Sequence, residues 1–256
     1  MVLRARRVVR LSALLAGVVV AGSGLTGCGA SPDDAAPEDR TFTVPGKHLT
    51  VDSDNSELEI VAAAADERQV KVTRWFDGWA VGGSAGASWD VSGDTLTLRM
   101  HCTGLTVNCA AKHRVEVPRG LSVTVKDDNG AVTARGIGTD LTVSSKNGPV
   151  TVRDAGGALR LSTKNGSIDA RTAGSRSISA TSRNGDISLA AGRVPDRIEA
   201  TNDNGAVRID VPRTPYKVDA SSRHGSVDIG VPRDDAAART LTARSRNGSV
   251  EVRPHG

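Results

Sequence analysis

The chain has 256 residues, including 33 basic and 29 acidic side chains, and its formal net charge is +4. Four arginines lie in residues 1–27, which contain no acid, so the rest of the chain carries 29 charges of each sign. This balance lacks the basic excess with which proteins bind polyanionic nucleic acids, and we therefore expect no nucleic-acid partner.

The start of the chain has the organisation of a bacterial lipoprotein signal. A basic beginning precedes an apolar run from Leu11 to Ala21, which is too short to span a bilayer. The following Leu25-Thr26-Gly27-Cys28 resembles the lipobox, in which the cysteine is diacylated and becomes the mature N-terminus. We therefore predict a signal peptide at residues 1–27 and a lipid on Cys28 that anchors an extracytoplasmic protein to the cell membrane.

Residues 28–41 are predicted to form a disordered tether. They are small, acidic and Pro-containing, a composition that buries too little apolar surface to fold. Anionic headgroups would repel their acidic side chains, so the folded domain, residues 42–256, need not contact lipid.

The predicted domain opens with a twelve-residue phrase, LTVDSDNSELEI, and an insertion follows it. In this phrase Asn55 stands at a corner between two short strands, whose apolar residues are spaced by two. The insertion, about residues 62–120, is predicted to be a β-structure that caps one end of the domain. Its predicted strands are Gln69–Trp75, Trp89–Val91, Thr95–Met100 and Arg114–Val117.

Four of the six aromatic residues of the chain lie in this insertion, at Trp75, Phe76, Trp79 and Trp89. Two interpretations stay open. The rings could form the small core of a cap, since the end of a repetitive stack exposes apolar side chains. Alternatively Trp75, Phe76 and Trp79, which border a Gly-rich loop, could form a contact surface for a sugar or a protein.

Two cysteines of the insertion, Cys102 and Cys109, predict a disulfide. They flank a Gly-containing turn of a strand-turn-strand hairpin, and disulfides form in oxidising extracytoplasmic compartments. A metal site that also uses His101 and His113 is the alternative. It is disfavoured because adjacent residues of a strand, such as His101 and Cys102, point to opposite faces.

From Val123 onward one twelve-residue phrase recurs, as in LTVSSKNGPVTV and LRLSTKNGSIDA. The central Asn-Gly suits the positive φ angles of a sharp corner. Successive hairpins would share this signal, but like residue types recur in register, and parallel stacking would place them about 4.8 Å apart in amide and hydroxyl ladders. The repeat therefore predicts an all-β fold, a single-stranded parallel β-helix or β-solenoid. Its corner residues are Asn129, Asn147, Asn165, Asn184, Asn204, His224 and Asn247.

With these phrases in place, the chain resembles the large family of bacterial β-solenoid domains known as "putative adhesins" of unknown function. The resemblance covers residues 42–256, and it rests on LTVDSDNSELEI, on HRVEVPRGLSVTVKDDNGAVTA and on the repeated Asn-Gly phrases. It implies a single-stranded β-helix, and it brings no functional residues with it.

Cations that precede the corners are candidates for a binding surface. Lys146, Lys164 and Arg183 come directly before three successive corners. They could form a stripe for an anionic wall polymer or glycan. Alternatively they are a solvated edge whose charges discourage the addition of further strands.

Acids near the corners do not predict a catalytic site. A polysaccharide-cleaving enzyme would need Asp127, Asp128 and Asp203 in one groove, but Asp203 lies four coils away, roughly 19 Å at the strand spacing. We therefore predict no catalytic residues and no cofactor, and a surface lipoprotein with an adhesive or scaffolding role in the cell envelope. A ligand-binding or sensory lipoprotein that uses the Trp-rich loop is the alternative.

Overall fold

The computed structural model describes residue 32 and residues 35–255, and the predicted signal peptide and Cys28 lie outside this part. The described residues form 21 β-strands and no α-helix, which confirms the all-β prediction. Within these residues there is no helix with the length and apolar character of a membrane span. In chain order the strands are β1 (Glu38–Phe42), β2 (His48–Ser53), β3 (Glu57–Ala62), β4 (Val70–Val81), β5 (Ala85–Ser92), β6 (Thr95–Cys102), β7 (Leu105–Val117), β8 (Ser122–Asn129), β9 (Val132–Arg135), β10 (Leu141–Asn147), β11 (Val150–Ala155), β12 (Leu159–Asn165), β13 (Ile168–Thr172), β14 (Ser177–Asn184), β15 (Ile187–Ala191), β16 (Arg197–Asn204), β17 (Val207–Pro212), β18 (Lys217–His224), β19 (Val227–Ile229), β20 (Thr240–Asn247) and β21 (Val250–His255).

Two sheets enclose one core, and each coil of the solenoid contributes one strand to each sheet. The first sheet has the order β1-β4-β7-β3-β9-β11-β13-β15-β17-β21-β19, and the second has the order β18-β20-β16-β14-β12-β10-β8-β2-β6-β5. Strands of neighbouring coils pair in parallel and in register, with Leu141 beside Leu159 and Asn147 beside Asn165. This pairing confirms the parallel β-helix and excludes successive hairpins for the repeated phrases.

The alternation within each phrase places its apolar residues between the sheets. Leu159, Leu161 and Ile168 of one coil are all buried, and burial of such a side chain contributes roughly 1.5–3 kcal/mol. The corner between the two strands needs glycine for a steric reason. Gly185 has a φ of 128°, and a Cβ there would lie 2.4 Å from the carbonyl oxygen of Gly166 in the adjacent coil.

Two polar ladders run along the corners, as the recurring residue types predicted. On the outside, the asparagine side chains form one chain of hydrogen bonds of 2.7–2.9 Å, each Nδ2 donating to the Oδ1 of its neighbour. On the inside, hydroxyl or amide groups donate to the carbonyl of the corner glycine one coil away. These inner donors are Thr163, Ser182, Asn202, Ser222 and Ser245.

Stacking order departs from chain order at both ends of the solenoid. β8 and β9 pair with β2 and β3, while the insertion returns to stack β6 and β7 on the other side of this coil. At the opposite end, β20 and β21 lie between the coil β16–β17 and the coil β18–β19. The coil β18–β19 is therefore the outermost layer, although two further strands follow it in the chain.

The insertion extends the two sheets at the end of the stack. β4 pairs antiparallel with β7 in the first sheet, and β5 pairs antiparallel with β6 in the second. The four strands overlap the segments predicted from the sequence, and they are longer than predicted. The largest extension is in β4 and β7, which continue side by side past the solenoid.

The strand β1 begins at Glu38, inside the segment 28–41 that the sequence predicts to be a tether. This strand pairs antiparallel with β4, with Glu38 opposite Arg74. The Thr73 hydroxyl donates to the Asp39 carboxylate at 2.6 Å, and Lys71 Nζ lies 3.2 Å from the same carboxylate. Acidic residues that suggested disorder thus hold a strand to the edge of the sheet.

Candidate functional site

The insertion projects past the corners of the solenoid. Glu57, the first residue of β3, pairs with Lys112, so residues 105–111 of β7 extend beyond the corner. In the other sheet Ser53, the last residue of β2, pairs with Leu98, and the rest of β6 also extends beyond the corner. At about 3.3 Å per residue, β7 reaches on the order of 20 Å past the start of β3.

The end of this projection is the insertion tip, which we define as residues 78–89 and 102–111. It contains no charged side chain, whereas charged residues make up 24% of the chain. Its two turns hold each other in place: the Thr103 backbone N–H donates to the Ser84 carbonyl at 2.8 Å, and the Ser84 N–H donates to the Thr103 hydroxyl at 3.1 Å. The tip is therefore a paired and uncharged structure.

The predicted disulfide between Cys102 and Cys109 is present in the tip. It does not close a hairpin, because β6 and β7 belong to different sheets, and it instead joins the two layers of the tip. Because both cysteines are oxidised in the disulfide, the alternative metal site of Cys102, Cys109, His101 and His113 has no thiolate ligands. Its second histidine, His113, is a buried core residue beside Leu58, and burial lowers the pKa of its ring to about 4.

A β-bulge reverses the alternation of β7 within the tip. Gly78 pairs with Cys109 and the next residue, Trp79, pairs with Val107, so Asn108 is left over and has a φ of 59°. Because side chains alternate along a strand, one additional residue turns those beyond it to the opposite face. The bulge therefore places Leu105, which lies opposite Val81, on the same outer face as Trp79.

Three large apolar side chains form the tip patch: Trp79, Val81 and Leu105. Val81 lies directly opposite Leu105, and Trp79 is two residues before Val81 on the same face. Their exposed fractions are 56%, 52% and 77%. Exposed apolar clusters mark interaction sites. Sequence reasoning found only Trp79, since the other two become neighbours through strand pairing.

The four aromatic residues of the insertion divide between the two interpretations. Trp89 packs against the core, and the guanidinium of Arg74 lies 4.3 Å from the centre of its ring, so Trp89 belongs to the cap. Trp75 and Phe76 are half-buried. Trp79 is exposed and remains a candidate for contact with a partner.

The second candidate surface is the Asn edge, which we define as the line of corners and the residue before each corner. Lys146, Lys164 and Arg183 lie there on neighbouring strands, as predicted. Lys146 Nζ is 2.7 Å from the carboxylate of Asp128, which occupies the same position one coil away. Lys164 and Arg183, the cation pair, form no ion pair with any described residue, and they line a shallow groove of about 230 Å³ together with Thr181 and Asp203.

The acids of the Asn edge do not converge on one groove. Asp127 is 2% exposed, at the position of the inner ladder, and burial raises the pKa of its carboxyl to about 7 against the opposing effect of the Ser53 hydroxyl. Asp128 and Asp203 lie at the surface, and each is held in an ion pair by a cation of the edge. One acid is thus buried and the other two are paired.

Comparison with known proteins gives one family and several solved structures. The Toastrack DUF4097 family model matches residues 92–253. A "putative adhesin" from Parabacteroides distasonis is 13% identical, with a TM-score of 0.48, over 85% of this chain and 98% of that one. A "putative adhesin" from Parabacteroides merdae is also 13% identical, with a TM-score of 0.42, over 86% and 97%. A "putative cell adhesion protein" from Clostridium sporogenes is 9% identical, with a TM-score of 0.34, over 86% and 99%. No curated protein matches the chain.

Proposed function

The chain belongs to the Toastrack DUF4097 family, and we propose that it is a non-catalytic lipoprotein whose solenoid binds an anionic component of the cell envelope through the Asn edge. The lipid on Cys28 holds it at the outer face of the cell membrane, where it has an adhesive or scaffolding role. The observation that carries the proposal is the cation pair, Lys164 and Arg183, which lies in adjacent coils and forms no ion pair with a described residue, while the nearby Asp203 is held by Arg246 at 3.3 Å.

Two cations on adjacent parallel strands repel each other, because the strand spacing holds their backbones about 4.8 Å apart. An anion placed between Lys164 and Arg183 relieves this repulsion. The hydroxyl groups of Thr181 and Thr201, which line the same groove, add hydrogen-bond donors for phosphate or carboxylate oxygens. An anionic group between Lys164 and Arg183 lies on the side of Arg183 away from Asp203, the acid that also lines the groove.

The Asn edge repeats the same residues in register from coil to coil, which suits a polyanion with regularly spaced charges. Six side-chain hydrogen bonds link seven asparagines along it, so the edge is held rigid over the length of the stack. A polymer that follows such an edge meets its contacts in a preformed arrangement and loses less entropy on binding than it would on a flexible loop.

The test is the retention of the protein on immobilised anionic envelope polymer. The variant Lys164→Gln with Arg183→Gln should bind about 30-fold more weakly, because each cation near an anionic surface contributes about 1 kcal/mol. The matched control is Arg208→Gln with Arg253→Gln, which removes two cations that pair with Glu251 on the opposite sheet. Equal loss in both variants would show that net charge acts without a specific surface, and the proposal would fail.

The anchor is tested separately by the variant Cys28→Ser. The proposal expects the wild-type protein in the membrane fraction and the variant released into the soluble extracytoplasmic fraction. A wild type that is itself soluble after export would contradict the lipid anchor while leaving the anionic surface open to the binding assay.

A further inference from the structure

We propose that the insertion tip contacts the lipid bilayer, with the tip patch of Trp79, Val81 and Leu105 lying at the boundary between headgroups and acyl chains. The proposal rests on the lipid anchor at Cys28 proposed above. It assigns to the exposed apolar residues of the tip a partner of defined chemistry, the surface of the membrane that carries the anchor.

The first argument is the direction in which the chain enters the domain. β1 is antiparallel to β4, and Glu38 at its start lies opposite Arg74. From Arg74, β4 runs seven residues to Val81 in the tip patch. The chain that precedes Glu38 therefore arrives from the side of the domain on which the tip lies.

The second argument is reach. Cys28 precedes Glu38 by ten residues, which span at most about 36 Å. Val81 lies seven residues past Arg74, about 23 Å along the strand. The anchored residue and the tip patch can therefore lie at the same membrane surface without straining the tether.

The third argument is the composition of the tip. Residues 78–89 and 102–111 contain no charged side chain, and the charges that adjoin them are Asp77, Asp90, Arg99 and Lys112. Tryptophan is enriched at membrane interfaces, where its ring is apolar and its N–H meets water. The ribbon of β4 and β7 pairs its own backbone groups, and the two turns bond to each other. On their outer edges, residues 75–81 of β4 and 105–111 of β7 have no neighbouring strand among the described residues, so the remaining backbone groups of the ribbon suit the hydrated headgroup boundary and not the acyl interior.

The contact fixes how the solenoid lies on the membrane. Because β7 overhangs the corners by residues 105–111, a tip at the bilayer turns the Asn edge toward the headgroups. The sequence predicts that the domain need not contact lipid, whereas this proposal gives the domain a lipid contact at its tip.

The test is fluorescence quenching in vesicles. The full-length lipidated protein is reconstituted in phosphatidylcholine vesicles with brominated acyl chains, which quench tryptophan that lies near them. We expect the emission of the wild type to be quenched relative to unbrominated vesicles. The variant Trp79→Phe should lose the larger part of the quenchable emission, and the half-buried neighbour changed as Trp75→Phe should keep it.

Vesicle flotation separates this proposal from the anchor on which it rests. A protein that floats with the vesicles but shows no quenching of Trp79 would overturn the tip contact alone. A wild type that fails to float would overturn both the anchor and the contact. A second variant, Leu105→Ser, removes a patch residue without changing a fluorophore, and it should weaken the quenching of Trp79 if the patch lies in the bilayer.

Discussion

Replacing Asp127 by asparagine should stabilise the solenoid above neutral pH. Asp127 is 2% exposed and occupies the inner-ladder position at which other coils have a hydrogen-bond donor. Asn202 stands at the equivalent position, and its Nδ2 donates to the carbonyl of Gly185 at 2.7 Å. Asp127→Asn therefore supplies the donor that an ionised carboxylate lacks.

The magnitude follows from the pKa of the carboxyl group. Burial raises the pKa of Asp127 from 3.8 to about 7, and one pKa unit corresponds to about 1.4 kcal/mol, so the ionised form destabilises the folded state by about 4 kcal/mol. The pKa of Asp127 is higher in the folded protein than in the unfolded chain. Below pH 3.8 the carboxyl group is protonated in both states and the folded protein keeps its full stability, and this contribution is lost as the pH rises through 7. The asparagine variant should not show that loss.

The assay is urea unfolding followed by far-ultraviolet circular dichroism over this range of pH. At about pH 4 the wild type and Asp127→Asn should have similar free energies of unfolding, and at about pH 8 the variant should be more stable by up to about 4 kcal/mol. The control is Asp128→Asn, since Asp128 is exposed and paired with Lys146 and should not reproduce this gain. Parallel pH profiles for wild type and Asp127→Asn would refute the reasoning.

Three further predictions concern the cap, the outer ladder and the corners. Trp89→Ala should lower the free energy of unfolding by about 2 kcal/mol or more, because the ring of Trp89 packs against the core. Trp79→Ala should change it by less than about 0.5 kcal/mol, because Trp79 is exposed. Chemical denaturation of both variants measures this difference. Asn165→Ala should cost about 1–2 kcal/mol in the same measurement because it breaks two ladder bonds, and a cost equal to that of an exposed alanine substitution elsewhere would contradict the ladder's role. Every Asn-Gly glycine of the described chain donates its backbone N–H to the adjacent coil, which keeps that nitrogen from attacking the asparagine amide. His224→Asn would create an Asn-Gly corner on the outermost coil, and mass spectrometry after long incubation should show deamidation there before any other corner.

The repeated phrases allowed the solenoid to be predicted, because period-two spacing and recurring Asn-Gly corners specify both the strands and their parallel stacking. The cap residue Trp89 and the disulfide partners Cys102 and Cys109 were also within reach of the sequence. The ion pair between Lys146 and Asp128 was missed, although both precede a corner in adjacent phrases and the ladder brings such residues side by side.

Other features depend on contacts that no local pattern records. The strand β1 is held to β4 by Thr73 and Lys71, which both contact the carboxylate of Asp39. The acidic composition of the segment does not predict these contacts. The bulge at Asn108 adds one residue to β7, and only the pairing of β4 with β7 shows that Leu105 therefore faces Val81. The order of the last two coils is hidden for another reason, since their phrases carry the same apolar positions and each fits either layer.

That order has a consequence for synthesis of the chain. β20 and β21 pair on both sides, with β16 and β17 in one direction and with β18 and β19 in the other. A ribosome completes β18 and β19 first, yet the layer on which they must dock does not exist until residues 240–255 have been made. The outermost coil therefore stays undocked until the final strands have extended the stack, and it then folds back over them as the last layer.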